Sequence, residues 1–350
     1  MPILKPEDLI EKYIRENLSP TQEERDMISA RYEELSGILK GVNFQSGSYA
    51  RFTAITPVND LDVIWEVDAK DLAKVPSVNK LRKSIDPIEL DMANVLHDLA
   101  SCLDFEFKKI GNSVRIEPRT HSVCVFYGKT DEEFSIDIVP AISSGDINEY
   151  GDQIYLVPEI VKLSKDSRTE RYSDTSIPIK WIRSDPKGYI ECSRELNEKN
   201  ENFRKVAKFV KTWKYFCKEK NPELALKSFH LELIVSEIFN QDINIDVLGG
   251  ISSFFEQLRH FVDAPCFVDR ANAGRYIDEY LTEMNSSEVS AVSNFLANAA
   301  VVVEKMKSLT NYIELEKLMK EFIVIKQSHS TLPDVAPPRI VEPYSRPHSW

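Results

Sequence analysis

The stretch Phe44–Val67, FQSGSYARFTAITPVNDLDVIWEV, constrains this chain more than any other. It reads as a Gly-Ser turn, a polar loop, and then a strand carrying Asp60 and Asp62. Side chains two apart on a strand share a face, so these carboxylates project side by side while Leu61 and Val63 turn into a core. Neighbouring carboxylates repel unless a cation lies between them. An all-oxygen pair of this kind suits Mg2+, which takes one or two carboxylates and fills the rest of its shell with water and substrate phosphates. The Gly47-Ser48 pair just upstream supplies a tight turn and open backbone N–H groups, which a phosphate needs. A later strand, FSIDIVP, places Asp137 among apolar residues, where an acid is costly to bury unless paired or metal-bound. A lone D-x-D is usually a solvated pair and a lone Gly-Ser a turn; the three features together point to a metal pair beside a phosphate cradle.

These residues resemble the polymerase β-type nucleotidyltransferase superfamily and, within it, the cGAS/DncV-like nucleotidyltransferases. The resemblance is carried by Gly47-Ser48-Tyr49-Ala50-Arg51, Thr53-Ala54-Ile55, Pro57-x-Asn59-Asp60-Leu61-Asp62 and Ile136-Asp137-Ile138-Val139-Pro140. It implies that Gly47 and Ser48 hold a donor triphosphate and that Asp60, Asp62 and Asp137 bind two Mg2+ ions, with Mn2+ as a substitute. One departure is Phe52, where a small residue or Gly is expected; it bears on loop geometry or base preference rather than on the metal site.

The chain has 350 residues, 42% hydrophobic and 29% charged, with a net charge of −12. That length accommodates one large or two modest domains. The acidic balance argues against stable nucleic-acid binding, which needs clustered Lys and Arg. Arg115, Arg119, Lys162, Lys165 and Arg168 are candidates for a local basic cleft, although scattered surface charge explains each as well. No apolar run reaches membrane-spanning length and the start lacks a signal-peptide core, so a cytoplasmic protein is expected. Cys102, Cys124, Cys192, Cys217 and Cys266 are scattered, fit neither a zinc site nor a disulfide framework, and read mostly as buried thiols. The zinc insertion of the family's animal DNA-sensing member is therefore not expected.

In chain order, helices are predicted over 6–18 and 20–39, the second with Ser19 as N-cap, Pro20 in its first turn and an apolar stripe that docks on the sheet. Another helix is expected from Asp86-Pro87 to Leu103, where His97 reads as structural. FEFKKI, SVRIEP, HSVCVFYG and EEFSIDIVP read as strands of a meander that delivers Asp137 to the sheet of Asp60 and Asp62. Residues 141–199 look irregular. Helices follow over 201–219, 228–240, 246–263, 269–284, 286–308 and a shorter stretch ending near 325. From Gln327 the chain is Pro- and Ser-rich and is expected to be flexible.

The expected fold is α+β and two-lobed: a mixed-sheet catalytic lobe over 1–199 with its N-terminal helices, an α-helical lobe over 200–326, and a tail over 327–350. The resemblance further implies that Lys211 and Ser228 reach across the cleft to the triphosphate; a solvated Lys and an N-cap Ser are the plainer alternatives. Phe229 is open between base stacking and core packing, and Trp181 reads as packing.

The activity implied is synthesis of a cyclic di- or trinucleotide from NTPs, ATP among them, with release of pyrophosphate. Anti-phage signalling and a regulatory or conjugation partner at the C-terminal tail are implied in the same way. The alternatives are a linear oligoadenylate-type enzyme, a transferase acting on RNA, protein or drug, and a catalytically dead nucleotide-binding or antitoxin-like module.

Overall fold

The computed structural model describes residues 5–39, 41–66, 95–128, 134–160 and 179–323. The expected start of the 86–103 helix, the candidate cleft residues Lys162, Lys165 and Arg168, and the tail from Gln327 lie outside the described residues.

The sheet is built around β2 (Asp60–Glu66), flanked by antiparallel β1 (Val42–Ser46) and by the parallel first half of β5 (Ser135–Ile147). β4 (Val123–Phe126) and β3 (Arg115–Pro118) continue antiparallel beyond β5, giving the order β1-β2-β5-β4-β3. β5 runs on past this core to pair with β6 (Gln153–Ile160), and β6 pairs with β7 (Ile179–Ser184). The described parts of 141–199 are therefore not irregular: they hold these strands and a helix, α5 (Pro186–Lys199).

Alternation decides which face is dry. Leu61, Val63, Ile136, Ile138, Val123 and Val125 are fully buried under α2 (Gln22–Leu39) and α4 (Val95–Lys109). The α2 stripe docks as expected, but the helix starts later. Thr21 and Glu24 exchange the two bonds of a capping box, while Ser19 donates to the Ile14 carbonyl. FEFKKI is not a strand: these residues extend and finish α4. Phe107 falls four residues after Leu103 on the buried face, and Asp104 and Lys108 pair at 2.6 Å on the exposed one.

The second core joins α6 (Asn202–Lys220), α7 (Ser228–Gln241), α8 (Val247–Asp263), α9 (Ser286–Lys307) and α10 (Tyr312–Phe322). It also contains Leu9, Ile10, Tyr13 and Ile14 of α1 (Pro6–Asn17). That corrects the expected boundary at residue 199, because the first helix packs into the helical lobe and only the second belongs with the sheet. The helix expected over 269–284 is replaced by a hairpin, β8 (Val268–Asp269) and β9 (Asn272–Tyr276), and a 3-10 turn over Glu279–Glu283. The hairpin clasps the sheet lobe. Arg270 bonds Asp152 at 2.6 Å and Asp185 at 3.1 Å, and Arg183 donates to the Ala271 carbonyl at 3.0 Å. Among the described residues no helix is long and apolar enough to cross a membrane.

The thiols are less buried than expected: Cys124 and Cys217 are buried, Cys102 is intermediate, and Cys192 and Cys266 are exposed.

Candidate active site

Two strands deliver the acids to one place. In the register, Asp62 lies beside Asp137 of the parallel β5 on one side and beside Ser46 of β1 on the other, and Asp60 lies beside Ser135. Asp60, Asp62 and Asp137 therefore share the face opposite Leu61 and Val63. The Ser122 hydroxyl donates to Asp137 Oδ1 at 2.8 Å and orients that carboxylate. Burial pushes the Asp62 carboxyl up to about 7, with the charges of Asp60 and Asp137 adding to the rise and Arg51 and Lys211 opposing it. Asp60 is exposed by surface area, yet the surrounding protein still raises its carboxyl, with Asp137 as the second cause.

Among the described residues no three His, Cys, Asp or Glu side chains form a ready-made cage for a metal ion. The donor set is instead an open row of carboxylates that repel one another. Such a row fits Mg2+, whose remaining positions go to water and substrate phosphates.

The Gly-Ser turn is built against this row. Gly47 opens a single helical turn, α3 (Gly47–Ala50), with φ +64. A Cβ added to Gly47 would lie 1.7 Å from Asp62 Oδ2, so only glycine lets the turn and the carboxylate meet. Thr53 N–H donates to the Ser48 carbonyl at 2.9 Å and closes the loop. Phe52 takes φ +60, the left-handed region that favours glycine, which is the physical reason a glycine is expected there.

Lys211 already has partners within the protein. It is buried, and its ammonium donates to the Thr53 carbonyl at 2.9 Å and sits 3.6 Å from Glu232. Burial pushes it down to about 8, against the charge of Glu232. Glu232 in turn accepts from Arg51 Nε at 2.5 Å and from the Thr53 hydroxyl at 2.8 Å. Burial alone would raise Glu232, but Arg51 and Lys211 outweigh it and the net shift is downward. This buried quartet ties the loop after the Gly-Ser turn to α6 and α7. Its removal is expected to be costly: Glu232→Gln leaves Arg51 and Lys211 short of charge and should cost about 2 kcal/mol of stability by chemical denaturation. An unchanged unfolding midpoint would count against the quartet as the tie between lobes.

Ser228 is the first residue of α7 and caps nothing, since Lys227 holds the N-cap position without a side-chain bond. Its hydroxyl instead accepts from Lys214 Nζ at 3.2 Å. The cation beside Ser228 is thus Lys214, one helical turn past Lys211. Only helix phase distinguishes the two lysines in KFVKTWKY. Lys211 falls four residues after the buried Ala207, on a face that packs against the loop. Phe229 packs edge-on to Tyr189 at 5.0 Å and under the Arg51 guanidinium at 4.6 Å. Arg115 and Arg119 lie over Phe126 and pair with Glu117 at the β3 edge.

Residues 7–155 match the Second Messenger Oligonucleotide or Dinucleotide Synthetase domain, a segment that includes the Gly-Ser turn and all three acids. Over that segment the chain is similar to the cGAS/DncV-like nucleotidyltransferases. The curated cyclic AMP-AMP-AMP synthase of Escherichia coli (strain MS 115-1) is 24% identical over 214 residues, covering 61% of this chain and 55% of that protein. The chain thus spans little more than half of the curated relative it matches. Among solved structures, E. coli MS115-1 CdnC with ATP superposes with a TM-score of 0.64 at 16% identity, covering 90% of this chain and 96% of that one. The CdnC:HORMA-deltaN complex gives 0.63 at 15% identity, with the same 90% and 96% coverage. Vibrio cholerae DncV cyclic AMP-GMP synthase with nonhydrolyzable GTP gives 0.52 at 14% identity, covering 80% and 68%. At these identities the likeness is one of fold, and it bears out the α+β architecture of a mixed sheet followed by a helical lobe.

Proposed function

We propose that this cGAS/DncV-like chain is a cyclic oligonucleotide synthase. It joins NTPs, ATP among them, releases pyrophosphate, and closes the linear product into a ring. The observation that carries the reading is the register of Asp62 beside Asp137 with Gly47 packed against Asp62, which places a phosphate-sized turn directly on an acidic row. The relatives whose names specify cyclic AMP-AMP-AMP or cyclic AMP-GMP synthesis support the product class.

Asp60, Asp62 and Asp137 would hold two Mg2+ ions, which supply charge neutralisation at the phosphates and a lowered pKa for the attacking hydroxyl. The chain's own contribution is positioning, on which phosphoryl-type transfer chiefly depends. Gly47 and Ser48 receive the triphosphate at the turn. Lys214 and Ser228 hold its tail from the helical lobe, while Lys211, Arg51, Thr53 and Glu232 fix the loop that carries the turn. The α-phosphorus then exchanges its bond to pyrophosphate for one to the ribose hydroxyl oxygen of the second nucleotide.

Lys214→Ala should raise the KM for NTP about tenfold, the loss of one charge-assisted hydrogen bond, with kcat and melting temperature little changed. A KM that moves with Lys211 and ignores Lys214 would restore the original assignment. Release of pyrophosphate from NTPs with Mg2+ tests the activity itself. The biological setting we propose is anti-phage signalling in the cytoplasm under the control of a protein partner, supported by the CdnC relative having been solved with a HORMA protein.

A further inference from the structure

A second cationic cluster lies outside the acidic cleft. Arg204 and Lys208 are four residues apart on α6, so they share a face, an arrangement that destabilises a helix when the charges are alike. Lys208 Nζ donates to the Ser19 hydroxyl at 3.0 Å, in the turn between α1 and α2. Arg204 lies over the ring of Phe52 at 4.8 Å, and its Nε is buried with no hydrogen-bond partner. Arg25, exposed on α2, is close enough for its charge to act on Lys208.

Among the described residues neither Arg25, Arg204 nor Lys208 forms an ion pair with a carboxylate. The acids whose charge reaches Arg204 are Glu198 and Glu232, and both are already engaged. Glu198 bonds Arg194, and Glu232 is held by Arg51, Thr53 and Lys211. Burial, followed by Arg25, Arg204 and Lys211, pushes the Lys208 ammonium down to about 8, and no opposing carboxylate contributes. In a chain of net charge −12, an uncompensated and partly buried cationic trio is an unfavourable arrangement that a bound anion would relieve.

Phe52 adds a second, independent feature. It holds the left-handed conformation, costly for a bulky side chain, and leaves its ring 65% exposed beside the Arg204 guanidinium. Strain of this kind clusters at ligand clamps and switch regions.

We propose that Ser19, Arg25, Phe52, Arg204 and Lys208 form a binding site for a small phosphate-bearing anion, distinct from the catalytic cleft and placed against the loop that leaves the Gly47–Ala50 turn. Arg25 and Lys208 take the phosphates, with Arg204 Nε as the buried donor. Because Phe52 directly precedes Thr53, whose carbonyl and hydroxyl anchor Lys211 and Glu232, an occupant would bear on the same loop that positions the Gly-Ser turn. The inference does not depend on the nucleotidyl-transfer reading, and its test measures binding alone.

The full chain is titrated calorimetrically with inorganic pyrophosphate and, separately, with ATP, in EDTA so that no metal bridges phosphate to the acids. Saturable binding is expected, weakened at least tenfold by Arg25→Gln and by Lys208→Gln. Arg25 is exposed, so its variant should fold even if Lys208→Gln does not, and a thermal melt of each verifies this. ATP binding that exceeds pyrophosphate binding and falls in Phe52→Ala would identify the anion as a nucleotide with its base on the ring. Equal binding of the two would identify a polyphosphate group alone. No saturable binding, or binding that Lys214→Ala removes and Arg25→Gln leaves intact, overturns the proposal.

Discussion

Asp62→Asn is expected to lose about 1000-fold or more in turnover, the scale of several kcal/mol of charge stabilisation that bound metal supplies. At the same time it should make the metal-free protein more stable. Asp62 sits between Asp60 and Asp137, and its raised carboxyl pKa of about 7 means that the folded chain holds a proton there more tightly than the unfolded chain does. The sign follows by linkage: the metal-free protein loses stability as pH rises from the ordinary carboxylate range through about 7, and recovers it on acidification. Allowing for solvent in the open cleft, the effect should be on the order of 2 kcal/mol between pH 5 and pH 8. The asparagine variant should flatten that slope, and Mg2+ should stabilise the native chain more at pH 8 than at pH 5. Thermal melts in EDTA and in Mg2+ at both pH values measure all of this. A wild-type chain that melts higher at pH 8 than at pH 5 in EDTA would contradict the crowded-acid description.

Gly47→Ala should be nearly as damaging, for a steric reason. The new methyl would lie 1.7 Å from Asp62 Oδ2 and 2.7 Å from its Cγ, so either the turn or the carboxylate must move. Misplacing a reacting group by about 1 Å is enough for a loss of about 100-fold in turnover. The φ of +64 adds roughly 1–2 kcal/mol of strain for any L side chain. Activity and stability should therefore fall together, unlike the opposite movements expected for Asp62→Asn. A Gly47→Ala enzyme with native turnover would separate the turn from the acids.

Much of the sheet was legible because its periodicity and its chemistry agree. Asp60 and Asp62 alternate with Leu61 and Val63, and that period of two fixes both the dry face and the acidic one. Asp137 was found by the same logic, although only the parallel pairing with β2 sets it beside Asp62. FEFKKI was misread because its alternation of aromatic and charged residues also suits the end of a helix, with Phe107 inward and Lys108 paired outward. The hairpin at 268–276 was missed because what holds it is distant in sequence: Arg270 finds Asp152 and Asp185 across the lobes. The first helix was placed with the wrong lobe for a similar reason, since an apolar stripe says what is buried but not against which partner. The choice between Lys211 and Lys214 is the narrowest case. Two lysines three residues apart on one helix differ only in phase, and the partner that buries the first, Glu232, lies on another helix.

The most direct measurement is incubation of the full chain with all four NTPs and Mg2+, followed by phosphatase treatment and mass spectrometry, with Asp62→Asn alongside. The structure-based reading predicts a phosphatase-resistant cyclic oligonucleotide that the variant does not make. Linear products trimmed by the phosphatase, or the same product from wild type and Asp62→Asn, would contradict it.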